Sequence, residues 1–335
     1  MKNNKIHKLH EENIVVDAHL DLGLIIYNFR KKGQKAVLAN HFLNDFRSSS
    51  FNLIIAAIFV RNEFLPDMAL KVALKQVEAI YSDIAECRDN FFIVTNKVDL
   101  EKLISTDKIG ILLSLEGADP IGMDLELLDT FYRLGVRGLG LTWSRRNFVA
   151  DGSYFDSPKE GTRGGLTPFG IQVVSNAEKL GMFIDASHLN DEGFADLIKY
   201  SNKPFIASHS NARTLNNITR NLSDKQSKEI VSLGGVIGIN GYKGIVSKNL
   251  EDQNINKLCD HIEYLLRLTS NKNVGFGFDF CNKCIDDSNE TNVDVLSNHS
   301  EVVKITEELL KRGINEDVII GVLGRNFYEY LRKIL

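Results

Sequence analysis

Five prolines and four cysteines in 335 residues leave this chain little of what marks flexible linkers or disulfide scaffolds. The prolines are scattered, and no low-complexity tract separates one half from the other. Cys87, Cys259, Cys281 and Cys284 do not form a disulfide-rich spacing. Positive charge is not in excess either: a net charge of −4 and a pI near 6.1 give no footprint for a polyanion, so nucleic acid is not an expected partner. No stretch approaches the ~20 apolar residues that cross a bilayer. The polar opening Met1–His10 lacks the apolar segment of a secretory signal. These absences predict a cytoplasmic protein with free thiols and no membrane partner. A Gly-x-Gly-x-x-Gly after the first apolar run is missing too, which removes support for a dinucleotide fold.

With 43% hydrophobic and 25% charged residues, the composition is that of an ordinary globular protein. Short apolar or β-branched runs recur at Ile14–Asp17, Phe51–Phe59, Ile109–Leu115, Gly138–Thr142, Met182–Asp185, Pro204–Ala207, Gly235–Asn240 and Val274–Gly277. Amphipathic segments separate them, among them Pro66–Cys87, Phe169–Leu180, Asp191–Tyr200, Ser223–Ser232 and Ile255–Ser270. Strand and helix alternating in this way mean a parallel sheet. Eight such units over the whole chain, 1–335, predict one (β/α)8 TIM barrel of the metal-dependent hydrolase (amidohydrolase-like) type, in a single catalytic domain. Phe91–Thr95 reads as a further strand outside the barrel count.

In such a barrel the active site gathers where the strands end. The residues past each run are chemically unusual: His19 and Asp21, then Glu116, then Trp143, Arg145 and Arg146, then His188, then Ser208, His209 and Ser210, then Tyr242, and last Asp279. In Asp17-Ala-His19-Leu-Asp21, a regular strand would put all three polar side chains on one face. Burying them unpartnered costs several kcal/mol. A divalent cation answers that cost, with His19 and Asp21 as ligands and Asp17 as support behind them. Of the eight histidines, His19, His188 and His209 fall at this level, while His7, His10, His41, His261 and His299 read as solvated surface residues.

Two ions fit the set. His19 and Asp21 hold one, His188 and His209 the other, and Glu116 bridges. Imidazole and carboxylate without thiolate suit Zn2+, two per chain, with Mn2+ or Co2+ also acceptable. A hydroxide held between the ions would attack a carbonyl, and Asp279 would serve as acid and base. The residual positive charge favours an anionic or carbonyl-bearing small substrate.

The motifs Val16-Asp-Ala-His-Leu-Asp21, Ser114-Leu-Glu-Gly117, Gly138-Leu-Gly-Leu-Thr-Trp-Ser144, Gly181-Met-Phe-Ile-Asp-Ala-Ser-His188, Pro204-Phe-Ile-Ala-Ser-His-Ser210, Arg220-Asn221, Gly234-Gly-Val-Ile-Gly-Ile-Asn240 and Val274-Gly-Phe-Gly-Phe-Asp279 stand in a distinctive order. In that order the chain resembles the membrane (renal) dipeptidase family of zinc-dependent dipeptidases, from Val15 to about Leu331. The resemblance implies the same five-residue binuclear zinc site and a dipeptide substrate. It also implies that Arg220 pairs with the substrate carboxylate, that Asp279 is the acid–base, and that Asn240 and Tyr242 line the site. Where some members have a histidine after the fourth strand, this chain has Trp143, a donor only. Oxyanion stabilisation then falls to the metals or to Arg145, Arg146 or Asn147.

Cys281-Asn-Lys-Cys284 lacks a second pair and reads as buried or loop thiols. Two other functions fit the same residues: an amidase, deacylase or lactamase acting on another small carboxylate, and a non-catalytic metal- or peptide-binding barrel. Large barrels often pair, so a homodimer is compatible with the chain.

Overall fold

The computed structural model describes residues 2–154, 162–284 and 292–335. Its centre is an all-parallel sheet built from β1 (Val15–Leu20), β2 (Phe51–Phe59), β3 (Phe91–Ile93), β4 (Ile109–Glu116), β5 (Val136–Gly140), β6 (Phe183–Asp185), β7 (Ile237–Ile239) and β8 (Val274–Phe276). The order across the sheet is β6-β5-β4-β2-β1-β8-β7, and β3 pairs with the start of β4. Every residue of β1 and β4 is buried, as expected for strands covered on both faces. The fold is α/β, with a curled parallel sheet and helices between its strands.

Alternate strand residues enter two apolar layers. Ile54, Ala56, Ile111 and Leu113 join the larger layer, which also takes in the helices Leu22–Lys31, Ala69–Glu86 and Ile255–Leu268. Val16, Leu53, Ile55, Leu112, Phe183 and Ile206 form the smaller one, together with Phe327, Tyr328 and Leu331 of the C-terminal helix Asn326–Ile334.

Helix starts follow the local signals. Asn190 caps Asp191–Tyr200 through Gly193 N–H, and Ser223 with Gln226 makes a complete capping box on Asp224–Ser232.

The expected strands Gly138–Thr142 and Gly235–Asn240 are found as Val136–Gly140 and Ile237–Ile239, and two other expected strands differ in character. β1 runs on to Leu20, and a register shift against β2 lies between Asp17 and Leu20. That irregularity breaks the common face expected of Asp17, His19 and Asp21. Pro204–Ala207 is not a ladder but two single parallel bridges, Asp185–Ile206 and Ala207–Ile237. Pro204 has no N–H to give, and downstream the Ser208 N–H goes to the side chain of Asp185 in β6 rather than to a strand backbone. The expected extra strand at Phe91–Thr95 is present as β3, off the main path.

Close backbone approach fixes where this segment sits. A Cβ on Gly238 or Gly277 would lie 1.8 or 1.7 Å from Ser208 O, closer than any side chain can come. Glycine at both positions lets the chain bearing His209 lie against β7 and β8.

Candidate metal centre

The strand ends bring together all five expected ligands. Glu116 ends β4 and divides its two oxygens: Oε1 lies 2.9 Å from His188 Nε2 and 3.7 Å from His209 Nε2, whereas Oε2 lies 3.4 Å from His19 Nε2. The two imidazole nitrogens His188 Nε2 and His209 Nε2 stand 3.0 Å apart. Among the described residues, His19, Asp21 and Glu116 form one group able to hold an ion, and Glu116, His188 and His209 form a second. His19, Asp185 and His209 also lie close together, but Asp185 is already occupied by the N–H and hydroxyl groups of Ser187 and Ser208.

A metal test comes from atoms left without partners. His19 Nε2, Asp21 Oδ1 and Glu116 Oε2 are buried and accept or donate no hydrogen bond. Three orphaned polar atoms in one ligand group would cost several kcal/mol if nothing joined them. Donors about 2.0–2.1 Å from one tetrahedral ion stand about 3.3 Å from each other, which is the spacing found around Glu116. The residues fit divalent metal.

Neighbouring hydroxyls orient the imidazoles. Ser144 Oγ lies 2.9 Å from His188 Nδ1 and Ser208 Oγ 2.6 Å from His209 Nδ1, each leaving Nε2 to face the centre. His19 and His209 stack with ring centroids 3.6 Å apart.

Burial, then the Arg220 charge, depresses His188 to about 3, and burial with His19 and Arg220 lowers His209 as well. Both are therefore neutral, as ligands must be. Burial also opposes charge on His19, but Glu116, Asp279 and Asp185 outweigh it and raise the group to about 9. Glu116 is held well below the usual carboxylate range despite burial, by His19 and His188. Asp21 is pushed well up by burial and then by Glu116, Cys284 and Asp279.

A cleft of about 330 Å3 opens over this centre, lined by Asp21, Glu116, His188, Asp279, Trp143, Tyr242, Arg61, Leu24, Phe59, Ile245, Val293, Cys281 and Cys284. Asp279 has φ of 55°, receives Asn240 Nδ2 on Oδ2 at 3.0 Å, and presents Oδ1 3.9 Å from His19 Nε2. Burial raises its carboxyl to about 6. Asn240 itself is fully buried and touches Asp279 rather than lining the cleft.

Arg220 is placed differently from a cleft residue. It is 2% exposed, and its Nη atoms donate to Ser187 O, Ser210 Oγ and His209 O, leaving Nε without a partner. The three groups considered for the oxyanion are engaged elsewhere. Arg145 bonds Asp119, Asn62 and Val60 O, Arg146 pairs with Asp151, and Asn147 donates to Leu141 O. Arg145 instead backs Trp143, its Cζ 5.2 Å from the ring.

Three histidines expected at the surface lie inside. His10, His261 and His299 are buried, not solvated, with ring partners supplied by other segments. His10 lies between Ser49 O and Thr306 Oγ1, His261 between Ala212 N–H and Val246 O, and His299 beside Asp17. His7 is exposed and His41 half-buried. Arg61 in the cleft wall was missed, because it carries no motif of its own. Asp17 acts as the expected support, accepting the His19 N–H on Oδ1 at 3.2 Å.

The sequence model of the membrane dipeptidase family (peptidase family M19) matches residues 3–334. Human dipeptidase 3 is 28% identical over 331 residues, covering 96% of this chain and 65% of that protein. The chain thus spans about two thirds of that relative's length. A crystal structure of the probable dipeptidase PvdM from Pseudomonas aeruginosa superposes with a TM-score of 0.86 at 23% identity, covering 99% of this chain and 98% of that one. A metallopeptidase from Rhodobacter sphaeroides, bound to a phosphinate mimic of the dipeptide L-Ala-D-Ala, gives 0.83 at 22% identity, covering 96% and 100%. These two structures share the fold.

Proposed function

The chain belongs to the membrane dipeptidase family, peptidase family M19, and on that premise we propose that it hydrolyses dipeptides at the Glu116-centred cleft. The observation that carries the reading is the trio of orphaned buried atoms on His19, Asp21 and Glu116, beside a second donor group on the same carboxylate. We read the centre as binuclear. His19 and Asp21 would hold one ion and His188 and His209 the other, with Glu116 shared, and the donor chemistry suits zinc, with manganese or cobalt tolerated. When bound, such ions supply Lewis acidity, polarising the scissile carbonyl and acidifying water.

The protein's own groups do the rest. Asp279 Oδ2 is fixed by Asn240 at 3.0 Å, whereas Oδ1 meets only the longer contacts of Cys281 Sγ and His19 Nε2, both at 3.9 Å, so Oδ1 is the oxygen better placed to take a proton and return it to the departing amine. A carboxyl raised to about 6 can both hold and release that proton near neutral pH. Trp143 and Phe59, with ring centroids 5.2 Å apart, wall one side of the cleft and exclude water there. The substrate carboxylate has two candidate readers. Arg220 answers the family resemblance but is buried beneath the site. Arg61 lines the cleft, with one donor on Cys284 O at 2.8 Å.

The barrel architecture belongs to the same reading. Residues 206 and 207 bridge β6 on one side and β7 on the other, which would join the two ends of the sheet into a closed (β/α)8 barrel formed by one domain. Among the described residues no helix is long and apolar enough to cross a membrane.

The test is metal analysis of the purified protein coupled to amino-acid release from a panel of L,L and L,D dipeptides. Two ions per chain and chelator-sensitive release are expected. Full activity after complete metal loss sinks the mechanism. Arg220→Ala and Arg61→Ala, compared on dipeptides and on neutral amides, identify the carboxylate reader: its loss raises KM for dipeptides about 10-fold or more and leaves amides unaffected.

A further inference from the structure

His299 stands outside the cleft, in the short turn His299–Glu301, 282 residues along the chain from Asp17. Its Nε2 lies 2.7 Å from Asp17 Oδ2, and the two side chains are 3% and 0% exposed. The rings of Phe46, Phe51, Phe278 and Phe280 meet the imidazole edge-on, with centroids 4.8, 5.0, 6.2 and 4.9 Å away. A polar pair in an apolar box is costly to keep, and an aromatic side chain of similar size would pack there without that cost.

What the pair does can be followed through the other oxygen. Asp17 Oδ1 accepts the backbone N–H of His19 at 3.2 Å and that of Phe278 at 2.9 Å. The next residue, Asp279, gives its own N–H to His19 O at 3.0 Å. β1 and β8 share one register pair, Asp17–Phe276, so the sheet ladder holds this seam weakly. The carboxylate of Asp17 replaces the missing ladder bonds just where a metal ligand and the acid–base residue face each other. Asp279 also holds a left-handed backbone, φ 55°, which a residue with a Cβ keeps only when its surroundings enforce it.

We propose that His299 is a positioning residue of the reaction: by holding the Asp17 carboxylate, it sets His19 and Asp279 at working distance from each other. This rests on the reading of His19 as a ligand and Asp279 as the acid–base group.

The test compares His299→Phe, which fills the aromatic box without a donor, with His299→Gln, which restores an N–H donor. For each, kcat, KM, thermal melting and the chelator concentration that strips half the metal are measured. His299→Phe is expected to lower kcat about 10- to 100-fold, the size of effect that misplacement near 1 Å produces, with KM within about 3-fold. It should also lose metal at lower chelator concentration, and His299→Gln should recover most of both losses. If kcat per metal-loaded chain and metal retention stay at the wild-type level in His299→Phe, the proposal is overturned. It is equally overturned if Gln and Phe lower melting alike with no difference in kcat or retention. Should His299→Phe fail to fold, Asp17→Asn gives the same readouts through the other partner. A wild-type protein that cleaves no dipeptide overturns the functional reading, while the metal-retention comparison still decides the role of His299.

Discussion

At the scale of single residues, chemistry is divided by which oxygen or nitrogen is already taken. Asp279 commits Oδ2 to Asn240 at 3.0 Å and leaves Oδ1, held only by a long 3.9 Å contact from the Cys281 thiol, for the reaction. His188 and His209 commit Nδ1 to serine hydroxyls and keep Nε2 for the centre. Asp279→Asn preserves the shape and the Asn240 neighbour but cannot carry a proton. It is expected to lower kcat by about 100- to 10,000-fold while metal content, measured by elemental analysis, stays as in wild type. Loss of metal together with activity would show that Asp279 is a ligand instead. The five donors were legible because each follows an apolar run directly. His299, His10 and His261 were not, since their partners lie 282, 39 and 15 residues away or more, and only the folded chain makes those pairings. The same holds for Arg61, whose place in the cleft wall is set by β2 ending two residues earlier.

At the scale of elements, periodicity read the long strands well and the short or irregular ones poorly. β2 spans Phe51–Phe59 as expected, and the helix Asp191–Tyr200 has the expected ends because Asn190 caps it. The register shift in β1 and the two-bridge segment at 206–207 depend on neighbours across the sheet, which no local pattern reports. Gly238 belongs to this scale. Gly238→Ala puts a methyl where Ser208 O now lies, 1.8 Å from the new Cβ. The segment bearing His209 must move, and overpacking of this kind costs about 1–3 kcal/mol. Reduced metal retention and a lower melting temperature are the expected outcome. Unchanged values in both would mean that the segment shifts without carrying His209 with it.

At the scale of the molecule, buried titratable groups tie the fold to pH. His261 receives the Ala212 N–H on Nδ1 and donates from Nε2 to Val246 O, a pattern only the neutral ring satisfies. Burial lowers its pKa from 6.5 to about 4. As pH falls from 6.5 towards 4, the unfolded chain takes up a proton that the folded chain refuses, so stability is lost across that window. The loss amounts to about 3 kcal/mol once pH is below both values. His261→Gln should flatten the fall in melting temperature between pH 7 and pH 4.5; an unchanged slope would assign the acid sensitivity to other groups. The sheet's overall course, with strand ends converging on one cleft, followed from strand–helix alternation alone. The apolar layer closed by Phe327, Tyr328 and Leu331 did not, because nothing in the C-terminal helix distinguishes packing against the sheet from packing against other helices.

Glu116, reached from two sides through separate oxygens, has a bearing on supply. On the binuclear reading, whichever ion arrives first draws on a carboxylate that the second must share, so the two uptake steps are not independent. Titration of the stripped protein should then trace two unequal steps rather than one step of double size. When metal is scarce, a population of these molecules would divide by how far each has filled, and its activity would follow supply along a curve rather than a straight line.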